Sequence, residues 1–582
     1  MKKNIVVCGL ITGLLGTASV LADMHVDSAD THTQQGIGVS LPGTQLEHLE
    51  QLANYGNIMK EQLGEKVKLL SAGNQRLIGL GEKWDKLKPV LEKVMEKGSS
   101  PRKASQYNIF TPGSDFNSSD DFLSRFAGMT QSQTSSAWCG TNAIIAFNDS
   151  GSFVRTFIDP AACGNFSFIG WSRSTNPATA APTFIDKGVM TPYPNPQGIV
   201  FQDLMGDVKT ACASPERFYC SSTSTLYKRT ISGGFVIQSA ISVVRSLDGG
   251  ETFGSAVPAV QKPTGGYPSY VLDKPWMAVK PGNSAATDTI YVTYTSINPS
   301  LDTIEFVKSV NGGAAWSAPI VIGTAGYYGT VQGSQVAFSP LPAPNGTIYV
   351  TWEEYDTFPC GNRRIKIRKS TDNGDTFSAP VQVTDIVGCG DGFRMQGNFS
   401  NFMDNSGLAV NPKNGNVYVA YQDGRGPSLP DSFGECGYYN FSNIYFRRST
   451  DGGSTWTDPI KVNSDSANAK IDQFMPGIAV EKNTGRILVT FYDRRHDIKR
   501  NFTIRFWRAI SSDSGNTWTS QSSMSGSFPA ITGWEDDLFD DHYMSNYEAP
   551  SSDSAGTSTS GFITNWSDNT LGDANIQFQK IP

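Results

Sequence analysis

The spacing of apolar residues changes once along the chain. Between Thr44 and Lys97 they recur at Leu46, Leu49, Leu52, Ile58, Leu63, Val67 and Leu70, then at Leu77, Leu80, Leu87, Leu91 and Val94. Intervals of three and four put them on one helical face, so this stretch predicts amphipathic helices. Breaks are expected near Gly56, Gly64, Gly73, Gly79 and Gly81, and Pro89 is expected to begin or kink the last helix. Past residue 134 the interval falls to two, in short runs such as Thr289-Ile290-Tyr291-Val292-Thr293-Tyr294, Thr347-Ile348-Tyr349-Val350-Thr351-Trp352 and Val417-Tyr418-Val419-Ala420-Tyr421. That alternation predicts β-strands.

One turn pattern punctuates the strands. Ser246-Leu247-Asp248-Gly249-Gly250-Glu251-Thr252-Phe253 returns as copies starting at Ser370, Ser449 and Ser511, with a weaker copy at Ser309. Successive starts lie 63, 61, 79 and 62 residues apart, the mark of a repeat. Within each copy Asp or Asn can accept from nearby backbone amides, Gly supplies a positive φ, and Thr and an aromatic lead back into a strand. The flanking runs group into four-stranded units. Seven are counted, the last truncated and without the Asp turn; six is the rival if the first and last are parts of one closing unit. The expected fold is mainly β, a seven-bladed propeller (six-bladed as the alternative) with an N-terminal helical segment.

Composition narrows the class of partner. The formal charge is -7 over 582 residues, with no basic cluster, which gives no support to a nucleic-acid partner. Met1-Lys2-Lys3, an apolar run to Leu21 and Val20-Leu21-Ala22 read as a signal peptide of residues 1–22, so a secreted, periplasmic or bacterial-surface location is expected. A flexible leader (23–43), the helical segment (44–98), a connector (99–133) and the propeller (134–582) follow. Amphipathic helices need an apolar partner: residues 44–97 are expected to pack on the propeller, with homo-oligomerisation or docking to an envelope protein as alternatives. Cysteines at 139/163, 212/220 and 360/389 form the expected local disulfide pairs, leaving Cys436 over.

The turns and the strands around them, over residues 134–582, resemble the Asp boxes, or BNR repeats, of the sialidase superfamily, and this resemblance implies a β-propeller. It further implies an arginine cluster for a sugar carboxylate, a Tyr paired with Glu as nucleophile, and an Asp as acid/base. The family's first arginine lies in a Phe/Tyr-Arg-Ile-Pro motif ahead of the first box. This chain has none there, and Phe393-Arg394-Met395-Gln396 is its nearest likeness.

Candidate chemistry gathers at equivalent ends of strands, on the face opposite the Asp turns: Asn148-Asp149, Glu353-Glu354, Gln422-Asp423, Tyr492-Asp493 and Ser567-Asp568. Glu354, Asp423, Tyr492 and Asp493 are the catalytic candidates, since a glycosidase needs two carboxyl groups. Arg394, Arg425, Arg494 and Arg495 are candidates for holding an acidic group, and Trp276 for stacking on a sugar. The same side chains would equally cap loops or pair between blades. The acidic loop from Trp534 to Tyr543 reads as a solvated loop, with calcium held by Asp536, Asp537, Asp540 and Asp541 as the alternative; no cofactor is required. Without the early arginine motif, glycan recognition or a protein-binding scaffold is the expected function, with exo-α-sialidase-like hydrolysis of terminal acidic sugars as the alternative.

Overall fold

Alternating strands separated by tight turns bury one face only by stacking sheet against sheet, and radial stacking closes such an array without long free edges. In a computed structural model, the described residues are 38–39, 44–96, 130–152, 165–190, 199–229, 235–263, 270–342, 345–358, 361–387, 394–395, 399–400, 406–430, 438–466, 468–530, 545, 547–556, 561–570 and 574–582. They form seven antiparallel blades around one axis. The inner strands of the first six are Gln131–Cys139, Ile199–Ser214, Val271–Lys280, Thr330–Ser339, Ser406–Val410 and Gln473–Val480. Among the described residues the seventh blade has three strands, Ser551–Ser552, Phe562–Asp568 and Asn575–Ile581. It closes the ring where Ser135 and Trp138 of the first inner strand bridge in parallel to Ala549 and Asp553.

The Asp turns have the geometry their composition dictates. Ser449 Oγ donates to Asp451 Oδ1 at 2.8 Å, the Gly453 amide donates to Ser449 Oγ at 2.7 Å, and the Thr455 amide to Asp451 Oδ1 at 2.9 Å. The copies at Ser246, Ser370 and Ser511 repeat all three bonds, and Asn311 takes the acceptor role in the copy at Ser309. Gly453 sits at φ 83°, where a side chain would be strained. The Thr517 hydroxyl and amide, both donating to Asp513, hold its carboxyl down at about 2.

Each turn also serves the blade before it. The basic residue just ahead of the leading Ser donates to a carbonyl in the next blade's turn: Arg173 Nε to Gly249 at 2.7 Å, Arg245 to Gly312 at 3.2 Å, Lys308 to Asn373 at 2.9 Å, Lys369 to Gly452 at 2.9 Å and Arg448 to Ser514 at 2.8 Å. The turn is therefore a clasp between blades as well as a bend within one.

The helical segment is a hairpin, α1 (Gln45–Leu63) and α2 (Ala72–Glu96), joined through a 3-10 turn at Gly64–Leu69. Thr44 and Glu47 form a capping box that starts α1. The chain breaks at Gly64 and just ahead of Gly73, but Gly56, Gly79 and Gly81 lie within helices and α2 runs on through Pro89. The glycines serve packing: a Cβ on Gly56 would overlap the Leu77 carbonyl, and one on Gly81 the Ala53 carbonyl, so the helices cross backbone to backbone. The hairpin packs on the propeller, sharing one core in which Leu49, Leu52, Leu77 and Leu87 meet Phe168, Tyr227, Ile297 and Tyr355.

The expected pairings Cys139/Cys163 and Cys212/Cys220 are corrected. Cys139 is bonded to Cys212, and Cys220 is a buried free thiol. Proximity in sequence misleads here because the radial array sets the inner strands of blades 1 and 2 side by side, bringing together residues 73 apart. Residues 1–22, most of the leader and connector, the pair 360/389, Cys436 and the acidic loop with Asp536, Asp537, Asp540 and Asp541 lie outside the described residues.

Candidate functional site

The face opposite the Asp turns carries the outer ends of the second strands, and the helical hairpin caps part of it. His48 Nε2 meets Asp203 Oδ2 at 3.0 Å, ringed by Phe166, Phe201 and Tyr227. At the start of α2 the Ser71 amide donates to Asp273 Oδ2 at 2.8 Å, Asn74 Nδ2 donates to Asp273 Oδ1 at 2.9 Å, and the Ser71 hydroxyl bonds both Asp207 and Asp273. Arg76 lies 4.4 Å from the Phe168 ring centroid, and Lys66 pairs with Asp302 at 3.0 Å. The partial positive charge of a helix N-terminus suits the two carboxylates. Burial, reinforced by the neighbouring Asp273, still pushes the Asp207 carboxyl up to about 7.

The sequence-derived acids occupy equivalent strand ends, each with its own partner. Glu353 is fully buried and accepts from Arg363 Nη2 at 2.9 Å; Glu354 is paired with Lys366 at 2.7 Å. Asp423 accepts from the Arg425 amide at 3.0 Å and from its Nε at 2.7 Å. Asp493 receives the same two donors from Arg495, both at 2.7 Å. Burial raises the carboxyls of Asp423 and Asp493, and their arginines oppose the shift. Asp149 and Asp568 cap their loops through Gly151 and Thr570. A shared Asp-x-Arg spacing thus yields local stations, in which Asp423 and Asp493 are each held by the arginine two residues on, and Asp423 also accepts from the Val387 amide at 3.3 Å at the end of the preceding blade.

The arginines divide into two kinds. The Arg425 guanidinium is 5.7 Å from the Tyr445 ring centroid, and that of Arg495 is 4.1 Å from Trp507, against which His496 also stacks. Their side chains are 35% and 15% exposed. Arg494 is wholly buried, 3.5 Å from Asp472 and over the Phe474 ring, and belongs to the interior. Arg394 lies on the short strand Arg394–Met395, paired with Phe399–Ser400.

Tyr492 is wholly buried, its hydroxyl bonded to Glu548 Oε1 at 2.8 Å and to the Ser567 carbonyl at 3.0 Å, among Phe474, Phe506 and Phe528. Burial pushes Glu548 up to about 7 and the Tyr492 hydroxyl well above its ordinary range. Glu548 was not among the sequence-derived residues; its 56-residue separation from Tyr492 hides a contact that only the seam between blades creates. Trp276 lies on the inner strand of blade 3, lining the axial cavity. Among the described residues no group of three or more His, Cys, Asp or Glu is placed to hold a metal ion.

No family profile and no curated protein matches the chain. Among solved structures it is similar to a Hadza microbial sialidase at 14% identity, covering 71% of this chain and 73% of that one with a TM-score of 0.39. A polysaccharide lyase, an ulvan lyase, matches at 8% identity over 78% of this chain and 95% of its own, with a TM-score of 0.44. The α-L-arabinofuranosidase from Fusarium graminearum matches at 12% identity over 66% and 94%, with a TM-score of 0.38.

Proposed function

We propose that the protein engages acidic glycans on the face opposite the Asp turns, over blades 5 and 6. The repetition of one constellation carries the reading. Arg425 and Arg495 stand at equivalent positions, each fixed by the carboxylate two residues earlier and set near an aromatic ring, with part of the side chain in solvent. A guanidinium held in this way loses little freedom when it grips a sugar carboxylate, and the neighbouring ring offers an apolar wall. Recognition is the primary mode because Glu353, Asp423 and Asp493 are each engaged by an arginine of their own blade. The signal-like residues 1–22 fit a setting outside the cytoplasm.

Hydrolysis of terminal acidic-sugar linkages is the second reading, favoured by one observation: Tyr492 and Glu548 form a hydroxyl–carboxyl couple of the kind the sialidase resemblance implies for a nucleophile. One experiment separates the two. Sialosides, uronides and neutral glycans are titrated into purified protein with and without calcium, alongside fluorogenic substrates. Acidic glycans binding without turnover, and released in Arg425→Ala and Arg495→Ala variants, support recognition. Turnover abolished in folded Glu354→Gln or Tyr492→Phe protein establishes the hydrolase, and equal binding of neutral and acidic glycans overturns both.

A further inference from the structure

The inner strands enclose an axial cavity of about 610 Å³, within the size range of small-molecule sites. A repeated irregularity shapes its inner end. Register slips fall between Ser132 and Ser135, Gly206 and Lys209, Asp273 and Trp276, Gln332 and Gln335, and Phe474 and Gly477. Inside these slips Gln133, Asp207, Lys274, Gly333 and Met475 take φ values of 49°, 59°, 52°, 60° and 52°. Four of the five are not glycine, so the left-handed backbone is imposed by the surrounding structure, and bulges of this kind re-aim the residues that follow. Two positions on, Lys209, Trp276, Gln335 and Gly477 line the cavity.

Among the described residues the cavity is closed at that end. Ser132, Asp207, Asp273, Gln332 and Phe474 above it are buried, with Ser71 and Asn74 of the hairpin seated on Asp207 and Asp273. The other end reaches the turns on the Asp-turn face, where the lining residues Pro281, Pro340 and Lys482 are exposed. Among the described residues the lining carries three lysines, Lys209, Lys280 and Lys482, against one carboxyl group, Glu548, which is bonded to Tyr492. Lys280 and Lys482 donate to the backbone carbonyls of Asn345 and Ser554, and among the described residues neither meets a carboxylate. Lys209 Nζ lies 4.2 Å from the Trp276 ring centroid, the Tyr547 ring meets Trp276 edge-on at 5.3 Å, and among the described residues no carboxylate pairs with Lys209. Burial draws the Lys209 amine down to about 7, as expected of a desolvated cation lacking an anion.

We infer that this channel is a second ligand site, independent of the blade 5 and 6 face. It takes a carboxylate-bearing sugar through the Asp-turn side, the carboxylate on Lys209 and the ring against the wall of Trp276 and Tyr547. A blind channel admits a free sugar acid or the end of a chain and excludes the middle of a polymer. An aromatic wall and this volume suit a sugar ring better than a bare inorganic anion.

Calorimetric titration of the full chain tests this with sodium glucuronate, a glucuronate-terminated disaccharide, glucose and sodium sulfate. Glucuronate is expected to bind at least tenfold more tightly than glucose or sulfate. In the Arg425→Ala/Arg495→Ala background, which removes the proposed outer-face site, a glucuronate site should remain, and adding Lys209→Met should weaken it at least tenfold while adding Lys209→Arg retains it. The disaccharide arm tells a chain end, bound as well as the free sugar, from a free sugar acid, bound alone. Should Lys209→Met not fold, the Arg425→Ala/Arg495→Ala variant supplies the readout as glucuronate affinity falling with added salt. Equal binding of glucose, equal binding of sulfate, no binding of glucuronate, or unchanged affinity in folded Lys209→Met protein overturns the assignment. Loss in the double arginine variant instead places the sugar on the outer face.

Discussion

Tyr492 donates its hydroxyl to Glu548 across the seam between the sixth and seventh blades, with both side chains sealed from solvent. Removing one partner of a buried polar pair costs about 1–3 kcal/mol. Tyr492→Phe is therefore expected to destabilise the protein by about that amount, read as a lower thermal midpoint. A nucleophile would behave differently, with turnover abolished and the midpoint scarcely moved.

Lys369 and Arg448 clasp the turns of the blades that follow them, through Gly452 and Ser514. A hydrogen bond from a charged donor contributes roughly 1.5–3 kcal/mol at most, and less where the pair is partly wet. Lys369→Met and Arg448→Met should each lower the urea midpoint, and their effects should nearly add because the two clasps are separate. Combined losses far from the sum would show that the clasps act as one network.

Asp207 and Glu548 have folded-state values raised to about 7, above the ordinary carboxyl range. The native state then binds more protons than the unfolded chain between about pH 4 and 7, so these groups contribute stability at low pH that fades as pH rises through about 7. Asp207→Asn is expected to flatten that slope, measured as thermal midpoint against pH from 4 to 8. An unchanged slope would mean that Asp207 titrates normally.

The Cys139–Cys212 bond closes a loop with a sequence separation of 73 residues. By the chain-entropy relation such a cross-link is worth about 4 kcal/mol, so Cys139→Ser should lower the denaturation midpoint markedly. Cys220→Ala, at a buried free thiol, should cost far less. A reversed order would reassign the pairing.

The turns, the strand runs and the truncated last blade were legible because each is a local matter of composition: Asp or Asn, Gly and Thr within eight residues, then alternation. What the sequence hid depends on the closure of the ring. Lys274 and Met475 at positive φ have no local signal, since neither residue type favours that conformation. Tyr492 was visible but its partner Glu548 was not, and the helical period was clear while the surface that receives the helices was not. Gly56 and Gly81, read as breaks, mark the crossing of the two helices, which only the packed hairpin reveals.

The clasps also give the ring a direction. In the first five blades the residue ahead of the turn's Ser is Arg173, Arg245, Lys308, Lys369 or Arg448; in the sixth it is Ile510, and the seventh blade has no Asp turn to receive a donor. That last blade is secured at the hub, where Ala549 and Asp553 bridge to the first inner strand, and among the described residues no such clasp reaches its rim. Among the described residues its outermost strand, Asn575–Ile581, is paired on one side, to Phe562–Asp568. Amide hydrogen exchange should find this strand fraying first, like the loose end of a bracelet, while Thr503–Ser511 in the preceding blade stays protected.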